Sequence, residues 1–313
     1  MQNLGYACIN MGLSEQPKSR RVTTNRTMIK KTFKQRGISY ASELALQNSR
    51  DLLKIIKWNY SNDINFFRMS SGIFPWASEY NISDLPDYNQ IAGTLAEAGS
   101  FAKQVGQRLT THPDHFNKLT SPREHVIHNT LRDLEIHGEM MDLLGMPRTP
   151  WAKINIHVGA SYGDKPMALD NFCRNFEKLS DAVKSRLTVE NDDRESLYST
   201  EELVNEIHSR IGIPVVHDFH HHLFTHRGMS QEEALSLACS TWGDVPPVVH
   251  YSESRAKEHN DPKIRPQAHS DMIQDYIETY GQDVYIMIEA KHKELALLEY
   301  RNKFHNTQQL LAG

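Results

Sequence analysis

Cysteine is scarce in this 313-residue chain: Cys8, Cys173 and Cys239 are odd in number, widely spaced, and form no metal-type pair. That excludes a disulfide framework and a zinc ribbon. Also missing is any apolar run approaching the roughly 18 residues of a membrane helix, and the opening MQNLGYACIN has no basic-then-apolar signal character. An intracellular protein of the cytoplasm or nucleoid, with no membrane partner, is the expectation. Gly/Ser/Pro-rich linkers, low-complexity tracts and internal repeats are absent too, so residues 1–313 read as a single domain. Charge is nearly balanced, 35 Lys+Arg against 39 Asp+Glu for a net −4, which argues against indiscriminate coating of nucleic acid. One local absence matters more. From Lys18 to Arg36 there is no acid among Lys18, Arg20, Arg21, Arg26, Lys30, Lys31, Lys34 and Arg36. Those eight cations leave −4 − 8 = −12 for the rest of the chain.

What is present is an alternation. Short β-branched apolar runs predict strands at Asn3–Asn10, Ile64–Ser70, Arg108–His112, Lys153–His157, Arg186–Glu190, Pro214–Asp218, Pro247–Ser252 and Val284–Glu289. Helical periodicity fills the intervals, at Ser42–Trp58, Tyr88–Gly106, Pro122–Leu144, Asp170–Lys184, Ser199–Ile211, Ser230–Thr241, Ala268–Tyr280 and Lys291–Lys303. Ser121-Pro122, Ser199 and Ser230 supply helix-start chemistry. Eight strand-helix units without a break fit an α/β fold, a closed (β/α)8 TIM barrel, because closure removes the sheet edges. The basic run falls in the loop after the first strand.

Chemistry in such a barrel is built where strands end. Here those ends are His112, His157, Glu190, Asp218 (with His221 three residues on), His250 and Glu289. One strand-end histidine or acid is ordinarily a hydrogen-bonding group. Six consecutive strands carrying them would make buried charge costly unless the groups hold cations, which predicts a metal cluster at the C-terminal face of the strands. Carboxylates and imidazoles without thiolate suit Mn, Zn, Fe or Co. Glu190, on the central strand of the series, is the candidate bridging carboxylate. His269 reads either as a ligand beside His221 or as a solvent-exposed helix-start residue. His217 is expected to face the barrel-helix interface and His137, between Glu135 and Glu139, the surface. His220, His222 and His226 are left open.

With these residues assembled, the sequence resembles the UV damage endonuclease family from Gly5 to Lys291. The motifs are Gly5-Tyr6 with Asn10, Phe67-Arg68-Met69-Ser70-Ser71 leading to Phe74-Pro75-Trp76, and His112-Pro113-Asp114-His115-Phe116. They continue with His157-Val158-Gly159, Tyr162-Gly163-Asp164-Lys165, Glu190-Asn191-Asp192, His217-Asp218-Phe219-His220-His221, His250-Tyr251-Ser252 and Ile288-Glu289-Ala290-Lys291.

The resemblance implies a monomeric TIM-barrel endonuclease that nicks damaged double-stranded DNA immediately 5′ of UV photoproducts and abasic sites, leaving 3′-hydroxyl and 5′-phosphate ends. It implies three divalent ions, usually Mn2+, with Zn2+, Co2+ or Mg2+ as alternatives. Glu190, Asp218, His250 and Glu289 would hold one, His112 and His157 with bridging Glu190 a second, and His221 with His269 a third. Glu190, Asp218 and Glu289 would be the catalytic carboxylates. By the same resemblance His115 and Phe116 would wedge the duplex at the lesion, and Tyr6 and Asn10 would line the pocket for the extruded nucleotides. Two positions depart from the family pattern: His115 stands where Gln is common, and Val248 where a modifiable Lys can occur, so no such modification is expected. The basic run from Lys18 to Arg36, Lys30 and Lys31 included, is expected to track phosphates beside the groove. The rival readings are a metal-dependent sugar isomerase on the same barrel, which would have no use for the basic run or an aromatic wedge, and a damage binder that has lost catalysis.

Overall fold

The apolar runs form short strands in the computed structural model, which describes residues 2–311. They are β1 (Asn3–Ala7), β2 (Phe66–Met69), β3 (Arg108–Thr111), β4 (Ile154–His157), β5 (Leu187–Glu190), β6 (Val215–Asp218), β7 (Val248–Tyr251) and β8 (Tyr285–Ile288). They close in sequence order into a parallel barrel with helices between them, the TIM barrel expected from the alternation. Each strand is four or five residues long and lies within or just beside its expected range. The chain falls into two compact units, one formed by Met1–Ala7 with Thr188–Gly313 and the other by Cys8–Leu187.

In the unit Cys8–Leu187, β2 pairs with β3 in register Phe66 to Arg108. The helix Lys30–Ser61 buries Leu52, Ile55 and Ile56 completely, the i, i+3, i+4 stripe of an amphipathic helix. Each such side chain is worth roughly 1.5–3 kcal/mol in removing apolar surface from water. Gly99, in the helix Tyr88–Gln104, has no room for a side chain: a Cβ there would lie 1.7 Å from the Leu144 carbonyl oxygen. Half of the basic run is not a loop after all. Lys30 to Arg36 are helical, and Gly37, at φ 64°, kinks the chain before the long helix continues. His137 is also corrected, being buried with Nδ1 2.9 Å from Thr111 Oγ1. It continues the stripe Ile127, Thr130, Leu134, Met141 of its helix, a spacing that outranks the two flanking glutamates.

In the other unit, β6 pairs with β7 at Asp218 to His250, and β7 with β8 at His250 to Met287. His217 faces outward as expected, Nδ1 3.0 Å from Thr200 Oγ1 and Nε2 2.9 Å from Gln231 Oε1. Burial lowers its pKa to about 3, so it is a neutral linker between strand and helices. The expected helix Ala268–Tyr280 does not form; after β7 the helix is the single turn Arg255–Glu258. Between them, Glu253 and Glu258 accept hydrogen bonds from the amides of Asp271, Met272, Gln274 and Asp275, and the Tyr300 hydroxyl accepts from Ile277 N. Ile273 and Ile277 are buried all the same. The apolar spacing survives while acceptors distant in sequence replace helical ones. Among the described residues no helix is long and apolar enough to cross a membrane.

Candidate metal centre

Strand direction decides which side chains meet. Glu190 and Asp218 are the last residues of β5 and β6, Glu289 follows β8, and His250 lies one residue before the end of β7. All four belong to the unit containing Thr188–Gly313, together with His221 and His269. Glu190, Asp218 and His250 are at most 1% exposed. His250 Nδ1 stands 3.0 Å from Glu190 Oε1 and 3.1 Å from Glu289 Oε1. Glu190, Asp218 and His221 bring donor atoms within 4.8 Å of one another, and so do Asp218, His250 and Glu289. Ligands about 2.1 Å from one ion at right angles are about 3 Å apart, so the measured separations fit a first-row coordination shell.

Asp218 carries the most direct sign of a missing partner. Its Oδ1 caps the helix Phe219–Thr225 by accepting from His221 N at 2.7 Å. Its Oδ2 is buried and accepts no hydrogen bond. Burial pushes this carboxyl up to about 6; His221 opposes the shift, and Glu190 and Glu289 add to it. Three carboxylates under such conditions favour a bound cation, which reverses both the desolvation and the mutual repulsion.

The histidines are oriented for the same purpose. His221 Nδ1 donates to the Asn191 carbonyl at 2.9 Å and His269 Nδ1 to the Glu289 carbonyl at 3.1 Å, leaving each Nε2 with its lone pair. Their ring centres are 6.0 Å apart. In the unit Cys8–Leu187, His112 Nδ1 likewise donates to the Pro113 carbonyl at 2.9 Å, and the His112 and His157 rings are 5.5 Å apart. His269 is thus held beside His221 and is not a helix-start residue.

Asn191, in the motif Glu190-Asn191-Asp192, has a task of its own in the structure. Its Nδ2 donates to the Asp218 carbonyl at 3.0 Å, its Oδ1 accepts from Asp218 N at 2.7 Å, and its own carbonyl orients His221. Its place directly after Glu190 is the signal that could have found it. Of the undecided histidines, His222 is used structurally, Nε2 3.0 Å from the Met229 carbonyl, and His226 Nδ1 accepts from Gly228 N. His220 is buried, and burial, with His269 and His221 nearby, lowers it to about 4.

His115 and Phe116 are largely exposed, Phe116 at 72%, with ring centres 4.2 Å apart. Core packing is therefore not what retains Phe116. Tyr6 is buried in β1, and Asn10 is buried with Oδ1 accepting from Leu13 N to cap a short helix. Lys30 and Lys31 are exposed, and Val248 is fully buried.

The chain is similar to known proteins over most of its length. Residues 2–311 match the family model described as UV-endonuclease UvdE. A UV-damage endonuclease of Schizosaccharomyces pombe is 34% identical over 315 residues, covering 96% of this chain and 50% of that protein. The chain therefore spans about half the length of that relative, and less than half of its Neurospora crassa counterpart. The solved structure of SacUVDE superposes with a TM-score of 0.83 at 29% identity, covering 98% of this chain and 99% of the other. A D-tagatose 3-epimerase-like protein, at 10% identity and a TM-score of 0.56 over 99% and 98% of the two chains, shares the fold alone.

Proposed function

The chain belongs to the UV-endonuclease UvdE family, and from that premise we propose that it is a metal-dependent endonuclease that nicks duplex DNA immediately 5′ of UV photoproducts and abasic sites. The observation that carries the reading is Asp218 Oδ2, buried without a hydrogen bond beside Glu190 and Glu289 and near imidazoles oriented through Nδ1 by the Asn191 and Glu289 carbonyls. A sugar isomerase would share the barrel but has no use for an exposed His115–Phe116 pair or a basic run.

Glu190, Asp218, His250 and Glu289 would hold one divalent ion, and His221 with His269 another. His112 and His157 present a further imidazole pair. Nitrogen and oxygen donors without thiolate suit Mn2+, with Zn2+ and Co2+ as competitors. When bound, such ions supply Lewis acidity that makes water acidic enough to attack phosphorus at neutral pH and offsets charge on the leaving oxygen. The P–O3′ bond breaks as the water oxygen bonds to phosphorus, and the departing O3′ takes up a proton, giving 3′-hydroxyl and 5′-phosphate ends. Asn191 keeps Asp218 and His221 aligned throughout. His115 and Phe116 enter the stack at the lesion, where pairing is already weakened, so damage is selected by the lower cost of unstacking. Tyr6 and, separately, Asn10 would contact the extruded nucleotides.

The test is a nicking assay on a duplex with one thymine dimer. Nicking with Mn2+ that stops on chelation is expected; nicking that persists in chelator rejects the metal mechanism. Glu190→Gln should abolish turnover while damaged-DNA affinity stays near wild type.

A further inference from the structure

The basic run is not a solvated string of charge, because its backbone is pinned at three points within the unit Cys8–Leu187. Asn48, fully buried, accepts from Arg26 N at 3.1 Å and donates to the carbonyls of Arg26 and Ile73, both at 3.1 Å. Asp51, 3% exposed, accepts from Thr23 N at 3.1 Å and pairs with the Arg26 guanidinium at 2.6 Å. Farther along, the Trp76 indole N–H donates to the Met28 carbonyl at 2.7 Å, and its ring stacks on Phe33 at 5.7 Å and 15°. Tyr80 lies on the same Phe33 ring, 6.5 Å away.

Two details separate this from ordinary packing. Arg26 is turned inward as a peg, whereas Lys18, Arg20, Arg21, Lys30, Lys31, Lys34 and Arg36 are exposed. Trp76 sits at φ 60°, ψ 30°, a left-handed conformation that is uncommon for a bulky side chain and that glycine adopts freely. A residue held there against its preference aims the indole at Met28 and Phe33.

We infer that Trp76, Asn48 and Asp51 are positioning residues that hold residues 22–33 as a preset basic arm, whose exposed lysines meet duplex phosphates without first being ordered. The inference rests on the DNA reading above and adds the device that prepares the surface. Ordering in advance removes an entropic cost of association, so loosening the arm should weaken binding although no phosphate-contacting side chain is removed, because the loosened arm engages phosphates only part of the time.

The experiment uses the full chain. Trp76→Gly removes the indole and relieves the left-handed strain, and Trp76→Phe keeps a ring on Phe33 but loses the N–H donor. Amide exchange across residues 26–33 should speed up in both while the melting temperature stays level. Affinity for a damaged duplex at low salt should fall roughly tenfold in the glycine variant and less in the phenylalanine variant, with a flatter dependence on salt. Lys30→Glu with Lys31→Glu should weaken binding in the wild-type background and by a smaller factor beside Trp76→Gly. Unchanged exchange or unchanged affinity in Trp76→Gly overturns the clamp. Faster exchange with DNA binding indifferent to the Lys30 and Lys31 changes overturns the arm's role in DNA binding and leaves the nicking assay to judge the wider reading.

Discussion

Arg108, Lys153 and Arg186 stand at or just before the starts of β3, β4 and β5 as fully buried cations, whereas Glu190, Asp218 and Glu289 stand at or just after the ends of β5, β6 and β8 as largely buried anions. The cations belong to the unit Cys8–Leu187 and the anions to the other. Arg186 is saturated by its own unit: it donates to the carbonyls of Pro147, Ala182 and Met146 at 3.0, 3.0 and 2.6 Å and pairs with Asp142 at 2.8 Å. Arg108 donates to the Trp151 and Pro150 carbonyls and stacks on the Trp151 ring. Asp218 Oδ2 has no such provision. A buried charge with every donor used is part of the scaffold; one left short of a partner marks where something else binds.

Substitutions in the two regions should therefore differ in kind. Asp218→Asn is expected to lower nicking on the order of a thousandfold, comparable to loss of a strong electrostatic element of an active site. The same change should raise the melting temperature of the chelated protein by a few degrees, because an uncompensated buried carboxylate has gone while the helix cap remains. A chelated variant that melts below chelated wild type would contradict this. Asp142→Asn should do the reverse, costing about 3 kcal/mol in urea unfolding by stripping the counterion from buried Arg186, with the metal-loaded nicking rate per folded molecule unchanged.

Between these extremes lies Asn191→Ala, which touches no metal itself. Orienting residues of this kind are worth about 10–100-fold in metal affinity, so Mn2+ titration followed by activity should show a right-shifted curve, with the rate recovered at high metal. No shift would reduce Asn191 to packing.

The smallest expected effect is in pH dependence. Burial raises Asp142, but Arg148 and Arg186 outweigh it and hold the carboxyl below its ordinary value. Its folded pKa being depressed, its contribution is fully present above the unfolded value of about 3.9 and is lost as pH falls through the lower folded one. The stability difference between wild type and Asp142→Asn should accordingly shrink on acidification below about pH 4. A gap that stays constant there would remove Asp142 as the titrating partner.

Much of the candidate site was legible because barrel strands alternate faces and end at a rim: the last residues of the expected runs are His112, His157, Glu190, Asp218 and Glu289, and His250 lies within the run Pro247–Ser252. Less legible was anything decided by a partner remote in the chain. The stretch Ala268–Tyr280 has helical spacing, yet Glu253, Glu258 and Tyr300 capture its amides. Arg26 looked like one more phosphate contact, yet Asp51 turns it inward. His137 carried its answer in the stripe of its own helix, and the flanking charges were given too much weight.

Local periodicity, which needs only neighbours along the chain, was enough to determine the eight strands, the barrel and the identity of the residues that end each strand. Which histidine nitrogen keeps its lone pair, which carboxylate oxygen lacks a partner, and which arginine is a peg were decided only by tertiary structure. A hydrogen bond made tens of residues away leaves no periodic trace, and the desolvation that gives a buried charge its consequence exists only once the chain has closed around it.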